Sequence, residues 1–262
     1  ELTIDKCFIR NKDKNKLGAE VVYEEKIECI TFIFSTEIHP GEWELEITFN
    51  GKIRDDLRGF YKSKFLDENG NEQWLGTTQF EPTAARYAFP CWDEPNFKAI
   101  FSTSIVSDKK YIRISNEKVL EEKLLDSGKV ETKFVDSMIM SSYLVAFVVG
   151  PLEITEVGNV GDTMIRIIHR PNFSKQTKYA GEAALKILDF FEKYYEIKYP
   201  GSKLDLIAIP DFAMGAMENI GAVTFRESLL ILDEKSATRS ELDRSVTVIA
   251  HELAHMWFGD LV

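Results

Sequence analysis

The sequence predicts an α+β fold in two successive styles: strands and tight turns up to about residue 150, then strands mixed with helices. Three observations carry this. Short alternating or β-branched runs recur through the first part, each bounded by turn-forming residues. Residues 174–196 place apolar side chains at three- and four-residue intervals, the pattern of a helix with one buried face. A second pattern of that kind opens near Ser240, behind a helix-start signal.

Taken in order, residues 2–9, 20–23, 29–34, 43–49, 97–106 and 138–149 read as strands. Turn chemistry separates them at residues 11–16, His39-Pro40-Gly41, Asn50-Gly51, residues 68–71 and Asp126-Ser127-Gly128. The first of these alternates Asn, Lys and Asp and reads as a solvated hairpin tip. Strands joined by short turns predict a mostly antiparallel first half. In the second half, Ala180, Ala183, Ala184, Ile187, Leu188, Phe191 and Tyr194 form the apolar stripe of a helix that Pro200 and Gly201 end. Residues 204–209 form a short buried strand, residues 211–221 a loop, and residues 222–225 and 229–232 two further strands. Ser240 followed by Asp243 resembles a capping box. It opens a helix with Leu242, Val246, Ile249, Ala250, Leu253 and Trp257 on one face, with Gly259 as its stop. The expected division is residues 1–151 and 152–262.

A chain of 262 residues suits about two domains and buries enough surface to fold without staples. Its net charge of -11 repels phosphate backbones and anionic lipid, which argues against nucleic-acid and membrane-surface roles. Cys7, Cys29 and Cys91 are odd in number and widely spaced, so a reducing, cytoplasmic setting is expected. The triplet Asn172-Phe173-Ser174 fits a glycosylation acceptor but arises as easily by chance. No apolar run approaches the ~18 residues of a membrane span. The chain opens at Glu1 rather than Met and stops at Leu261-Val262 without a tail signal, the expected look of a segment from a longer protein.

Two of the four histidines stand in His251-Glu252-Leu253-Ala254-His255. On a helix, at about 100° per residue, positions i and i+4 share a face, so both imidazoles can hold one zinc ion with Glu252 beside it as general base. A third histidine and a glycine in metzincin spacing would fall on Leu261 and Phe258, which excludes that subclass. Gly215-Ala216-Met217-Glu218-Asn219 is a small-residue loop that lets a peptide backbone approach and offers one carboxylate to a cation. Gln79-Phe80-Glu81-Pro82 reads alone only as a turn.

Together these segments resemble the gluzincin zinc aminopeptidases of the alanyl and puromycin-sensitive type. The matching stretches are LRGFY at 57–61, TTQFEPTAARYAFPCWDEPNFKA at 77–99 and SSYLVAFVVG at 141–150, then LDLIAIPDFAMGAMEN at 204–219, TFRES at 224–228 and AHELAHMWFGDLV at 250–262. The resemblance implies an N-terminal antiparallel β-saddle domain followed by the start of a thermolysin-like catalytic domain. It implies a zinc-dependent exopeptidase acting on peptides with a free N-terminus. Glu81 and Glu218 would bind the substrate's α-ammonium, and the backbone of Gly215, Ala216, Met217, Glu218 and Asn219 would pair with it like an added strand. Gln79 and Met214 would line the pocket for the first side chain. His251 and His255 would hold the metal, and Glu252 would move the proton of the attacking water to the leaving amine. The family's third zinc ligand, a glutamate, and its oxyanion-stabilising tyrosine would lie beyond Val262, so the rest of the polypeptide completes the site and this segment alone is expected to be nearly inactive. Ile220 and Met256 replace the family's usual Trp and Gln and bear on substrate range. Two rivals remain at this level. The epoxide-hydrolase branch resembles GGMEN, against which Ala216 counts. A non-catalytic peptide-binding scaffold would have lost the zinc motif, which His251, Glu252 and His255 keep intact.

Overall fold

A computed structural model describes residues 2–11 and 16–261, so most of the hairpin tip expected at residues 11–16 lies outside the described residues. The chain opens with β1 (Leu2–Arg10), β2 (Lys16–Glu24), β3 (Cys29–Phe34) and β4 (Glu44–Gly51). They form an antiparallel sheet in the order β3-β2-β1-β4, with Phe8 opposite Gly18 and Cys7 opposite Ile47. Next come β5 (Gly59–Leu66), β6 (Glu72–Gln79), β7 (Ser104–Asp108), β8 (Ile112–Ser115), β9 (Val119–Leu124), β10 (Lys129–Phe134) and β11 (Phe147–Gly150). These sort into a four-stranded sheet, β5-β6-β11-β8, and a three-stranded one, β7-β10-β9, both antiparallel.

The second half holds β12 (Glu153–Val160), β13 (Thr163–His169), α1 (Lys178–Tyr195), β14 (Lys203–Ile209), β15 (Ala216–Met217), β16 (Ala222–Arg226) and α2 (Arg239–His255). Its five-stranded sheet runs β12-β13-β14-β16-β15; the central strands β13, β14 and β16 are parallel and both edges antiparallel. Helix α1 packs on β12 and β13, and α2 packs on α1 and β15. Every residue of β14 is buried, as a central parallel strand covered on both faces requires. One apolar cluster runs from Tyr61, Leu75 and Phe80 in the first half to Ile165, Leu206 and Ile249 in the second, so the two halves share a core.

Several expectations need correction. Only the last three residues of the run at 97–106 lie in a ladder strand, β7; before it, Ala99 makes an isolated bridge to Met140 and the amide of Phe101 donates to the Ser137 hydroxyl. The run at 138–149 is strand only from Phe147. The Asn116 side chain takes the Leu144 carbonyl and the Ala146 amide, groups that a ladder would need, and Ser142–Leu144 coils into a 3-10 turn. Residues 229–232 are not a strand: a 3-10 turn at Glu227–Leu229 delivers Leu229 and Leu230 to the core. The cap of α2 is Thr238 with Glu241, not Ser240 with Asp243. Glu241 reaches back to the Thr238 amide at 2.7 Å, whereas Asp243 pairs with Arg239, one turn earlier on the helix surface. The loop at 211–221 contains the two-residue strand β15. Strands β5, β6, β8, β9, β10, β12 and β13 lie outside the expected runs.

Candidate active site

The site is assembled from the end of β6, the loop that carries β15, and the last turn of α2. Capped by Thr238 and buried along Ser245, Ile249 and Leu253, α2 is fixed against the core, which orients its opposite face. There the rings of His251 and His255 meet edge to face, with Nε2 of one 3.2 Å from Nε2 of the other. Two nitrogens each ~2.0–2.1 Å from a tetrahedral zinc stand about 3.3 Å apart, so the spacing fits a shared metal. Nδ1 of His255 lies 3.2 Å from the Phe258 carbonyl, which assigns the ring proton to Nδ1 and leaves the Nε2 lone pair for a metal. The chain turns sharply to bring that carbonyl round: Gly259 has φ +138°, and a Cβ there would stand 3.0 Å from the same Nδ1. Among the described residues no group of three or more His, Cys, Asp or Glu side chains is placed to hold a metal; the histidine pair offers two nitrogens, where a catalytic zinc takes three protein ligands.

Glu252 is buried, and its carboxyl is pushed up to about 8 by burial first and then by the charges of Glu218 and Glu81. Glu81 is raised as well, by burial, then by Glu218, with His255 opposing. These mutual effects place Glu81, Glu218, Glu252 and His255 in one electrostatic neighbourhood. Glu81 follows β6 at the cis Glu81-Pro82 bond, and Glu218 follows β15. Strand β15 pairs with β16 through Ala216 opposite Phe225 and Met217 opposite Thr224, and it ends the sheet order, with no further strand on its outer edge among the described residues. Gly215 has open space where a side chain would sit. Asn219 turns inward and donates to the Ala222 carbonyl and the Thr224 hydroxyl. Gln79 is buried, with its Oε1 lacking a hydrogen-bond partner, while Met214 is 55% exposed on the outer part of the loop.

Sequence reasoning missed two groups here. Asp260 is buried without a hydrogen bond to either carboxylate oxygen, and burial followed by the charge of Glu218 pushes it up to about 8. Tyr143 is raised to about 12 by burial, then by Asp260, Glu218 and Glu81. In the sequence Tyr143 and Asp260 appear only inside the matching stretches at 141–150 and 250–262, where nothing singles out either side chain.

Among the described residues, no helix is long and apolar enough to cross a membrane. The pattern of the peptidase M1 N-terminal domain matches residues 2–144, and that of the peptidase family M1 domain matches residues 179–262. The chain is 42% identical over 244 residues to a puromycin-sensitive aminopeptidase of Caenorhabditis elegans, a match covering 93% of this chain and 26% of that protein. It is 43% identical over 245 residues to aminopeptidase M1-A of Oryza sativa subsp. japonica, covering 93% of this chain and 28% of that one. With endoplasmic reticulum aminopeptidase 2 of Homo sapiens the identity is 45% over 236 residues, covering 90% and 25%. The chain thus spans about a quarter of the length of the curated relatives it matches.

Proposed function

Since the chain belongs to the peptidase M1 family, an N-terminal M1 domain followed by the start of the catalytic domain, we propose that it forms the amine-binding and zinc-binding part of an aminopeptidase that removes N-terminal residues from peptides. The observation that carries this is the grouping of Glu81, Glu218 and Glu252 beside two imidazoles whose spacing fits one metal ion. Paired carboxylates are what a substrate α-ammonium needs once it leaves water. Glu81 and Glu218 accept its hydrogen bonds, and the open edge of β15 aligns the peptide backbone through Gly215, Ala216 and Met217. Gln79 and Met214 face the first side chain. His251 and His255 would hold zinc, which would supply an acidified water and polarise the scissile carbonyl. Glu252 would take a proton from the attacking water and deliver it to the leaving amine.

The division into residues 1–151 and 152–262 is part of this reading, supported by β11 closing one sheet at Gly150 and β12 opening another at Glu153. So is a cytoplasmic setting, supported by the free thiols Cys7, Cys29 and Cys91. The segment alone should bind zinc weakly and turn over little, because its histidine pair is one protein ligand short. The test uses the full-length polypeptide with zinc, a short peptide and its N-acetylated twin, followed by mass spectrometry. Stepwise shortening of the free peptide alone is expected. If neither shortens while zinc is bound, the aminopeptidase reading fails; if both shorten equally, the amine-binding role of Glu81 and Glu218 fails.

A further inference from the structure

The loop that carries Glu218 is gripped where it rejoins the sheet. Asn116, just after β8 in the first half of the chain, donates from Nδ2 to the Ile220 carbonyl at 2.8 Å. The same nitrogen reaches the Leu144 carbonyl, and Oδ1 accepts from the Ala146 amide. Lys203 at the start of β14 sends Nζ to the Gly221 carbonyl at 2.6 Å and to the Ser115 carbonyl at 2.7 Å, while Asp205 pairs with it at 2.7 Å. The hydroxyl of Tyr199 accepts from the Gly221 amide at 2.9 Å and donates to the Lys203 carbonyl. Asn116, Lys203 and Tyr199 are all at most 6% exposed. Gly221 lies so close that a Cβ would stand 1.9 Å from the Asn116 carbonyl oxygen, and its φ of +74° favours glycine in any case.

The grip also touches the metal-binding helix. The Tyr199 ring meets Trp257 edge to face at 6.4 Å, and Trp257, two residues beyond His255, is stacked on Tyr195 and donates to the Ile197 carbonyl. At the other end of the loop, Asp211 is tied to β5: its carboxylate accepts from the Ser63 hydroxyl and the Lys64 amide, and its carbonyl accepts from the Tyr61 hydroxyl. The loop therefore spans two fixed ends, and its middle, around Met214 and Gly215, is the exposed part.

We propose that Asn116, Tyr199 and Lys203 are positioning residues for Glu218, a buried clamp spanning both halves of the chain that sets where the amine-binding carboxylate stands relative to the histidine pair. The inference rests on the aminopeptidase reading above. Its physical reason is distance sensitivity. An ion pair with an ammonium rewards placement within about 0.5 Å, and a displacement of about 1 Å can cost ~100-fold in rate or binding. Ile220 and Gly221 stand two and three residues after Glu218, too near for a shift in their backbone to be absorbed before it reaches that side chain. Buried lysine is costly to desolvate. Here it bonds carbonyls from two separate segments, Ser115 and Gly221, which a surface residue could not bridge.

The test uses the full-length polypeptide with zinc and the substitution Tyr199→Phe, which keeps the ring and removes only the hydroxyl. The readouts are kcat and KM for a peptide with a free N-terminus, and Ki for the des-amino analogue of that peptide. A rise in KM of about 10-fold is expected, with kcat within about threefold and Ki for the des-amino analogue unchanged. In a Glu218→Gln background the same substitution should add no further rise in KM, because the group it positions is gone. A purely structural role would lower kcat through loss of folded enzyme and leave KM alone, and that result overturns the proposal. Equal rises in KM and in Ki overturn it too. If Tyr199→Phe does not fold, Asn116→Ser reads the same split through the Ile220 bond. Unmodified enzyme that binds the peptide and its des-amino analogue equally overturns the amine-binding reading itself, a failure visible before any variant is made.

Discussion

In the sheet β3-β2-β1-β4, Cys7 and Ile9 are the only buried side chains among the described residues, and Val22, Tyr23 and Ile33 are 37%, 45% and 49% exposed. In β14 all seven residues are buried, and two of them, Lys203 and Asp205, are charged. Both regions are rich in β-branched and apolar residues, so composition alone does not separate them. The difference lies in what covers each face. The first sheet contributes no described residue to the main apolar cluster, whereas β14 stands between parallel neighbours inside it. A peripheral antiparallel sheet tolerates a wet face; a central parallel strand must satisfy every polar group it carries.

That contrast predicts where the chain is fragile. The largest effect is expected at Asp205, whose carboxylate bonds Arg166 at 2.7 and 2.8 Å and Lys203 at 2.7 Å. Asp205→Ala leaves Lys203 buried without its counter-charge and should cost about 3–5 kcal/mol in chemical denaturation. A cost below ~1 kcal/mol would mean that the interior of β14 is as forgiving as the outer sheet. Next, Leu206→Ala should cost about 2–5 kcal/mol for the cavity it leaves, while Val22→Ala in β2 should cost less than ~1 kcal/mol. Equal costs at the two sites would erase the distinction between the sheets.

How much of this was legible follows from the same contrast. β14 and β3 could be read because their apolar residues are contiguous or alternate cleanly. β5 also alternates in burial, but its inward positions are Gly59, Tyr61, Ser63 and Phe65. Ser63 is inside because it bonds Asp211, some 148 residues away, so the pattern looks mixed in one dimension. β9 is exposed along its whole length and has no inward face to read. The apolar run around Leu229 and Leu230 reported burial correctly but not element type, since turns as well as strands can deliver side chains to a core. In the candidate site, the meeting of His251 and His255 on one face of α2 was legible because helical spacing is local. Asn116, Tyr199, Lys203 and Gly221 were not, because each is an ordinary residue until the fold brings the four together.

The smaller effects concern α2, which orients the histidines. Thr238→Ala removes the cap acceptor for the Glu241 amide and should cost about 1 kcal/mol. A loss much above that would show that α2 depends on its cap more than on packing. Smaller still is the pH-dependent part of the same box. Glu241 is held below the ordinary glutamate range by hydrogen bonds from the Thr238 amide and hydroxyl. A carboxylate depressed in the folded state contributes stability that is complete above its unfolded value and fades as pH falls through its folded value. The thermal midpoint of Glu241→Gln should therefore fall below that of the unmodified chain at neutral pH, and the gap should narrow steadily as pH falls below the ordinary glutamate value of about 4.3. A gap that persists in acid would mean that side-chain shape rather than charge secures the start of α2, and that the site's orientation owes nothing to this carboxylate's ionisation.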